Sequence, residues 1–144
     1  MTNTNKPGIV FWIIGFVALI WNAYGCLMYI AQAYDLEMAT EGLSAEQIAL
    51  MEALPAWNTA LFAIAVFLGL AASITFLMRK KISVNLFIIS FVAALISQVY
   101  WIFGTDASEV FSDHNPYLMP VIIVVLGLIF VWYSKKEKAT GVLN

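Results

Sequence analysis

The sequence predicts an all-α membrane protein: a four-transmembrane-helix antiparallel bundle, with a short extracytoplasmic helix between helices 1 and 2. Three observations predict it. First, four apolar stretches lack every Asp, Glu, Lys and Arg, at 8–33, 55–78, 82–103 and 117–134. Each holds roughly 18 residues or more, enough to cross ~30 Å of hydrocarbon as a helix. Second, hydrophobic residues make up 62% of the chain and charged residues 11%, well away from a soluble domain's balance. Third, the charges sort by side. The basic residues Lys6, Arg79, Lys80, Lys81, Lys135, Lys136 and Lys138 lie before the first span, between the second and third, or after the fourth. Of the acidic residues, only Glu137 shares that side. The positive-inside rule then puts both termini in the cytoplasm and the acidic loops outside. Nothing alternates with period two, as a membrane barrel would. The 144 residues read as a single integral membrane domain, 1–144.

The elements follow in order. The polar start, MTNTNKP, is expected to fray. The first span ends near Ala31-Gln32-Ala33, which resembles a signal-peptidase site. The apolar run before it is longer than a signal core, so it reads as a retained helix. In the loop from Tyr34 to Leu54, Ser44 and Gln47 have capping-box spacing, with Leu43 and Ile48 placed as a hydrophobic staple. A short helix should follow from Ala45, its Ile48, Met51 and Leu54 near one face, resting on the membrane or capping the bundle. Pro55 should bend the chain into the second span. The tight turn Arg79-Lys80-Lys81 makes the second and third spans antiparallel neighbours. Asp106-Ala-Ser-Glu109 carries a further cap signal. The fourth span is aliphatic and reads as a packing element with much lipid contact. The charged tail after Ser134 is expected to be mobile.

An asparagine interrupts the first span, in the stretch WNAYG at 21–25. Gly15, Ala18, Asn22, Gly25, Tyr29 and Gln32 alternate by three and four, so they share one helix face. The third span has a matching face of Ser83, Phe87, Ser90, Ala94, Ser97 and Trp101. The second offers Ala65, Gly69 and Ser73 at small-xxx-small spacing, which allows close backbone approach. Asn22 therefore faces the bundle interior, roughly 13 Å below the outer end of its helix by the rise per residue. It has two readings. It is interhelical glue, or it marks a ligand site as intramembrane polar groups often do. Under the second reading the candidate ligand-binding residues are Trp21, Asn22, Tyr29, Gln32, Asn58, Gln98 and Trp101. They crowd the outer half of the spans and can line a funnel. Amides and hydroxyls beside flat rings suit a neutral polyhydroxylated or planar ligand. For Trp57, Trp101, Tyr117, Trp12, Trp132 and Tyr133, anchoring at the membrane interfaces competes as an explanation.

Other chemistries find little support. No charged side chain lies within a span, where an ion-coupled pump would commonly have one. There is no nucleophile triad, phosphate loop or cysteine pair, so no catalytic residue is assigned and the chain does not read as an enzyme. His114 beside Asp113 matches no specific ligand spacing, so no metal and no cofactor is expected. The single cysteine, Cys26, reads as a buried thiol. No basic stripe suggests nucleic acid.

WNAYG, the acidic loop with SAEQIALMEALPAW, and a glycine-bearing second span ending in a basic turn resemble a group of small bacterial four-span proteins. Some of that group carry the label "sugar transporter". The resemblance implies a bacterial inner membrane and brings no binding residues with it. The proline-glutamine pair of the three-helix sugar half-transporters is absent. The expected function is binding or transport of a small neutral, sugar-like solute through an outward-facing pocket. The alternatives are a scaffold subunit of a membrane complex and a quinone-binding accessory protein. The bilayer is the first partner expected; a second copy of the chain or another membrane protein is the next.

Overall fold

The computed structural model describes residues 6–112 and 115–144. The polar start, MTNTNKP, falls partly, and the Asp113–His114 pair wholly, outside the described residues. The elements are α1 (Ile9–Ala33), α2 (Glu37–Thr40), α3 (Ala45–Glu52), α4 (Ala56–Leu77), α5 (Ile82–Val99), a π-helical turn (Tyr100–Gly104), α6 (Ala107–Val110) and α7 (Leu118–Ala139). Four helices are long and apolar enough to cross a membrane: α1, α4, α5 with its π turn, and α7. The protein is a multi-pass helical membrane protein. Its ends are called here by their charge, the basic end and the acidic end.

The bundle is assembled in chain order. α1 packs on α4, α4 on α5 and α5 on α7, while α1 and α7 scarcely pack on each other. Small residues decide the closest of these contacts. Gly15, Ala18 and Asn22 of α1 are buried, as are Ala65, Gly69, Ala72 and Ser73 of α4. The expected polar face of α1 holds through Asn22 and then turns toward Cys26, whose thiol donates to the Val66 carbonyl at 3.3 Å. Ser90 of α5 donates to the Ala65 carbonyl at 2.6 Å and ties α5 to α4.

Aromatic rings fill the basic end. Phe11 stacks on Phe76 with centroids 4.4 Å apart. Phe76 also meets Phe87 and Tyr133, and Phe87 meets Phe130. All four long helices contribute to this cluster.

Three helices end in the same way. The residue after the C-cap turns left-handed at Asp35 (φ 53), Arg79 (φ 61) and Gly141 (φ 84). In each case the next N–H reaches back to the carbonyl five residues earlier: Leu36 to Ala31, Lys80 to Thr75, and Val142 to Glu137. This is the Schellman motif, which satisfies the last helical carbonyls. Only the third uses glycine.

The third such turn overturns the expectation of a mobile tail. α7 runs on to Ala139, past the predicted end of the span at Ser134. Gly141 then folds the chain back, and Val142 and Leu143 bury themselves in the aromatic cluster. The Lys81 N–H donates to the Asn144 carbonyl at 3.0 Å, and the Asn144 N–H to the Arg79 carbonyl at 2.7 Å. Arg79 Nε donates to the Val142 carbonyl at 3.0 Å. Charge density marked this segment as solvated. Two apolar residues beyond the lysines outweigh that signal, because burying each is favourable by roughly 1.5 to 3 kcal/mol.

The acidic loops fold over the other end. Ser44 and Gln47 form the complete capping box of α3. Gln47 is buried, and its Nε2 donates to the Val110 carbonyl of α6 at 3.2 Å. One glutamine thus starts α3 and fastens it to the second acidic loop. Pro55 stands as the N-cap of α4, where the expected bend occurs. Pro120 lies in the first turn of α7, where its missing N–H costs no helical bond.

Candidate ligand cavity

Two chambers open along the α4–α5 pair. The inner one, about 290 Å³, lies between α1 and α7 at mid-depth. Its polar groups are Asn22, Ser90, Ser97 and Gln98, and its walls are chiefly aromatic and aliphatic, including Trp21, Phe87, Phe91 and Phe130. The outer one, about 370 Å³, lies under the acidic loops. Gln32, Asn58, Thr59 and Trp101 line it, together with Met51 and Leu54 from the α3 side and Phe111 from the other loop. Phe62, Ser97, Gln98 and Met119 border both chambers, so the two adjoin. Toward the basic end the floor is closed, since Phe87 and Phe130 belong both to the inner wall and to the buried aromatic cluster.

Asn22 stands at the junction of three helices. Its Nδ2 donates to the Ala18 carbonyl at 2.9 Å and to Ser73 Oγ at 3.3 Å. The Ser73 hydroxyl in turn donates to the Gly69 carbonyl at 2.8 Å. The Asn22 oxygen lies over Gly69, in the space that any side chain there would fill, with Ser90 close by. The amide is therefore both structural, through its N–H groups, and part of the cavity wall. The geometry gives one residue both positions, because an amide has two ends that are satisfied separately.

Asn58 is different. It is 4% exposed, and its Oδ1 has no hydrogen-bond partner among the described residues. Its neighbour across the outer chamber is Trp101, whose ring meets Phe111 at 5.5 Å. Trp101 sits inside the π turn, where the widened helix places its ring differently from the regular helix that was expected. Thr105 donates to the Trp101 carbonyl and receives the Ala107 N–H, which hands the freed backbone groups to a side chain. π turns recur at functional sites.

Of the residues singled out from sequence, Trp21 and Asn22 line the inner chamber, Gln98 lines both, and Gln32, Asn58 and Trp101 line the outer one. Tyr29 lines neither. Its ring lies between α1 and α4 against Phe62 and Phe67, at 5.9 and 5.6 Å. Like Asn22 it faces α4, but there Phe62 and Phe67 cover its ring and keep it out of both chambers. Sequence reasoning missed the contribution of α7, which supplies Met119, Ile123, Gly127 and Phe130 to the inner chamber. The one signal for it was Gly127, an interruption in an otherwise aliphatic helix. Among the described residues, no group of acidic, histidine or cysteine side chains has the arrangement of a metal site.

The chain matches no family model, no curated protein and no solved structure.

Proposed function

We propose that this membrane protein binds a small uncharged molecule, with a flat or apolar body and a polar edge, in the cavity reached from the acidic end. The observation that carries this reading is the stacking of two adjoining chambers, the outer beneath the acidic loops and the inner beside Asn22, with carboxamides in their walls at Gln32, Asn58, Gln98 and Asn22. No charged side chain lines either chamber, so an ionic ligand would forfeit its hydration without compensation. The predominance of rings and aliphatic groups in the inner walls favours a planar or apolar ligand over a fully hydroxylated sugar. By the positive-inside rule the acidic end faces away from the cytoplasm of a bacterial cell, and both termini lie inside. The closed basic end makes this a receptacle rather than a channel, and transport would require the aromatic cluster to part.

The test is thermal unfolding of the purified protein in detergent, with uncharged planar amides, quinone headgroup analogues and neutral sugars as ligands. Stabilisation by a planar ligand that is lost in Trp21→Ala supports the reading. Stabilisation by none of the three classes, in detergent and in lipid nanodiscs, would count against it.

A second reading follows from the weak packing of α1 against α7. Those two helices flank the inner chamber, so a gap between them faces the hydrocarbon. A lipid-borne quinone headgroup could then enter sideways. Retention of quinone binding when the outer chamber is blocked by Thr59→Trp would favour this route over entry from the acidic end.

A further inference from the structure

At the basic end, away from both chambers, a shallow depression of about 420 Å³ lies between the first turns of α5 and the last turns of α7. Lys81, Lys135 and Lys138 rim it, with Asn85 beside them. Val84 and Ile88 form its apolar side. No carboxylate lines it. Glu137, the acidic residue of this end, is buried beside Tyr133 instead. Among the described residues none of the three lysines is held in an ion pair. The neighbouring Lys136 is engaged elsewhere, over the rings of Trp132 and Tyr133 at 5.8 and 5.7 Å.

We propose that this depression is a headgroup site for an anionic phospholipid, with Lys81, Lys135 and Lys138 gathered around the phosphate. Three ammonium groups, from the start of α5 and the end of α7, rim a depression whose lining holds no carboxylate side chain. Lysine binds phosphate as a point charge, and Asn85 adds a hydrogen-bond donor. The position selects a lipid over a soluble phosphate. The depression lies at the basic end of two membrane helices, and Ile82 of α5 and Leu128 and Trp132 of α7 are exposed on those same helices, where acyl chains can cover them. Basic pockets between membrane helices at their charged ends suit acidic headgroups in this way. The site is independent of the cavity between α1 and α7, since no residue is shared.

The measurement is native mass spectrometry of the full chain with a mixture of phosphatidylglycerol and phosphatidylcholine, beside thermal unfolding in nanodiscs of each lipid. The wild type should retain phosphatidylglycerol preferentially and unfold at a higher temperature in its presence. Each lysine contributes about 1 kcal/mol near an anionic surface, so K81Q, K135Q and K138Q should each weaken retention about fivefold. K80Q and K136Q keep the same net charge as those variants but lie outside the depression, and should retain the preference. Equal retention of the two lipids by the wild type would overturn the proposal. So would equal loss in K80Q or K136Q, which would reduce the effect to general surface charge. Saturation of the same preference by millimolar inorganic phosphate would overturn the assignment to a lipid.

Discussion

The carboxamide of Asn22 fills the notch left by the missing side chain of Gly69. A Cβ at residue 69 would overlap the Asn22 oxygen, so this contact between α1 and α4 exists only because residue 69 has no side chain. Ser90 borders the same notch, so three helices register on one absent side chain.

Gly69→Ala should therefore destabilise the bundle strongly. The new methyl meets a buried amide that is tied to Ala18 and Ser73 and cannot retreat without breaking those bonds. Overpacking of this kind costs about 1–3 kcal/mol. Gly127→Ala is the comparison. There the methyl meets the edge of the Phe91 ring, which can swing into the inner chamber that it already lines. Unfolding in mixed detergent should rank Gly69→Ala well below Gly127→Ala, with the latter near wild type but with a smaller cavity. Equal losses would show that the ring is as fixed as the amide.

Asn22→Ala separates the two ends of that amide. Loss of the bonds to Ala18 and Ser73 should cost about 1 kcal/mol, the usual size of an interhelical bond in a membrane. A ligand that stabilises the wild type should lose most of its effect. Asn22→Ser tests the reason: it retains a hydrogen-bonding group but draws it back from the cavity. A full ligand response in both variants would leave Asn22 with its structural role alone.

Asn58→Leu should run the other way. A buried polar atom without a partner costs about 1–3 kcal/mol, so an apolar replacement of similar size removes a penalty. The apo protein should be as stable as wild type or more so, while ligand-dependent stabilisation in the outer chamber falls. A large loss of apo stability would mean that the Asn58 side chain is satisfied in solution, by water for example.

The left-handed turns give a paired test. For a residue other than glycine that backbone costs roughly 1–2 kcal/mol, partly offset by glycine's greater freedom when unfolded. Asp35→Gly, at an exposed turn, should raise stability by about 0.5 kcal/mol. Arg79→Gly relieves the same strain but removes the Nε bond to Val142, so it should gain nothing or lose. Urea titration of the two variants in the same micelle measures the difference. If Arg79→Gly gains as much as Asp35→Gly, the side chain does not hold the tail.

The helices themselves were legible because uncharged runs of spanning length leave a chain in lipid few alternatives. Ser44 and Gln47 announced α3 through local chemistry. The small residues Ala65, Gly69 and Ser73 marked a close-packing face of α4 by their spacing alone. Tyr29 and Trp101 show where this reasoning stops. Helical spacing assigns a face, but the neighbour that covers it depends on helix order and tilt. A π turn shifts every later side chain without a mark in the composition. The tail was misread for a related reason. Its lysines dominate any local average, while the partners of Val142 and Leu143 come from helices far away in sequence. The inner chamber needed α7 beside α5, a tertiary fact that the aliphatic run from Val121 to Leu126 does not encode.

The docked tail also bears on the order of assembly. Arg79 and Val142 are joined across 63 positions of chain. During synthesis the α4–α5 turn emerges long before its partner exists. Until α7 has threaded through the bilayer, Phe76 lacks the cover of Tyr133 and Leu143, and the Arg79 carbonyl lacks the Asn144 N–H. Residues 140–144 therefore close the hairpin only after the fourth crossing is complete. Their locking is a record that insertion has finished, and a chain stalled with three crossings would leave a greasy, hydrogen-bond-hungry end that chaperones and membrane proteases can read.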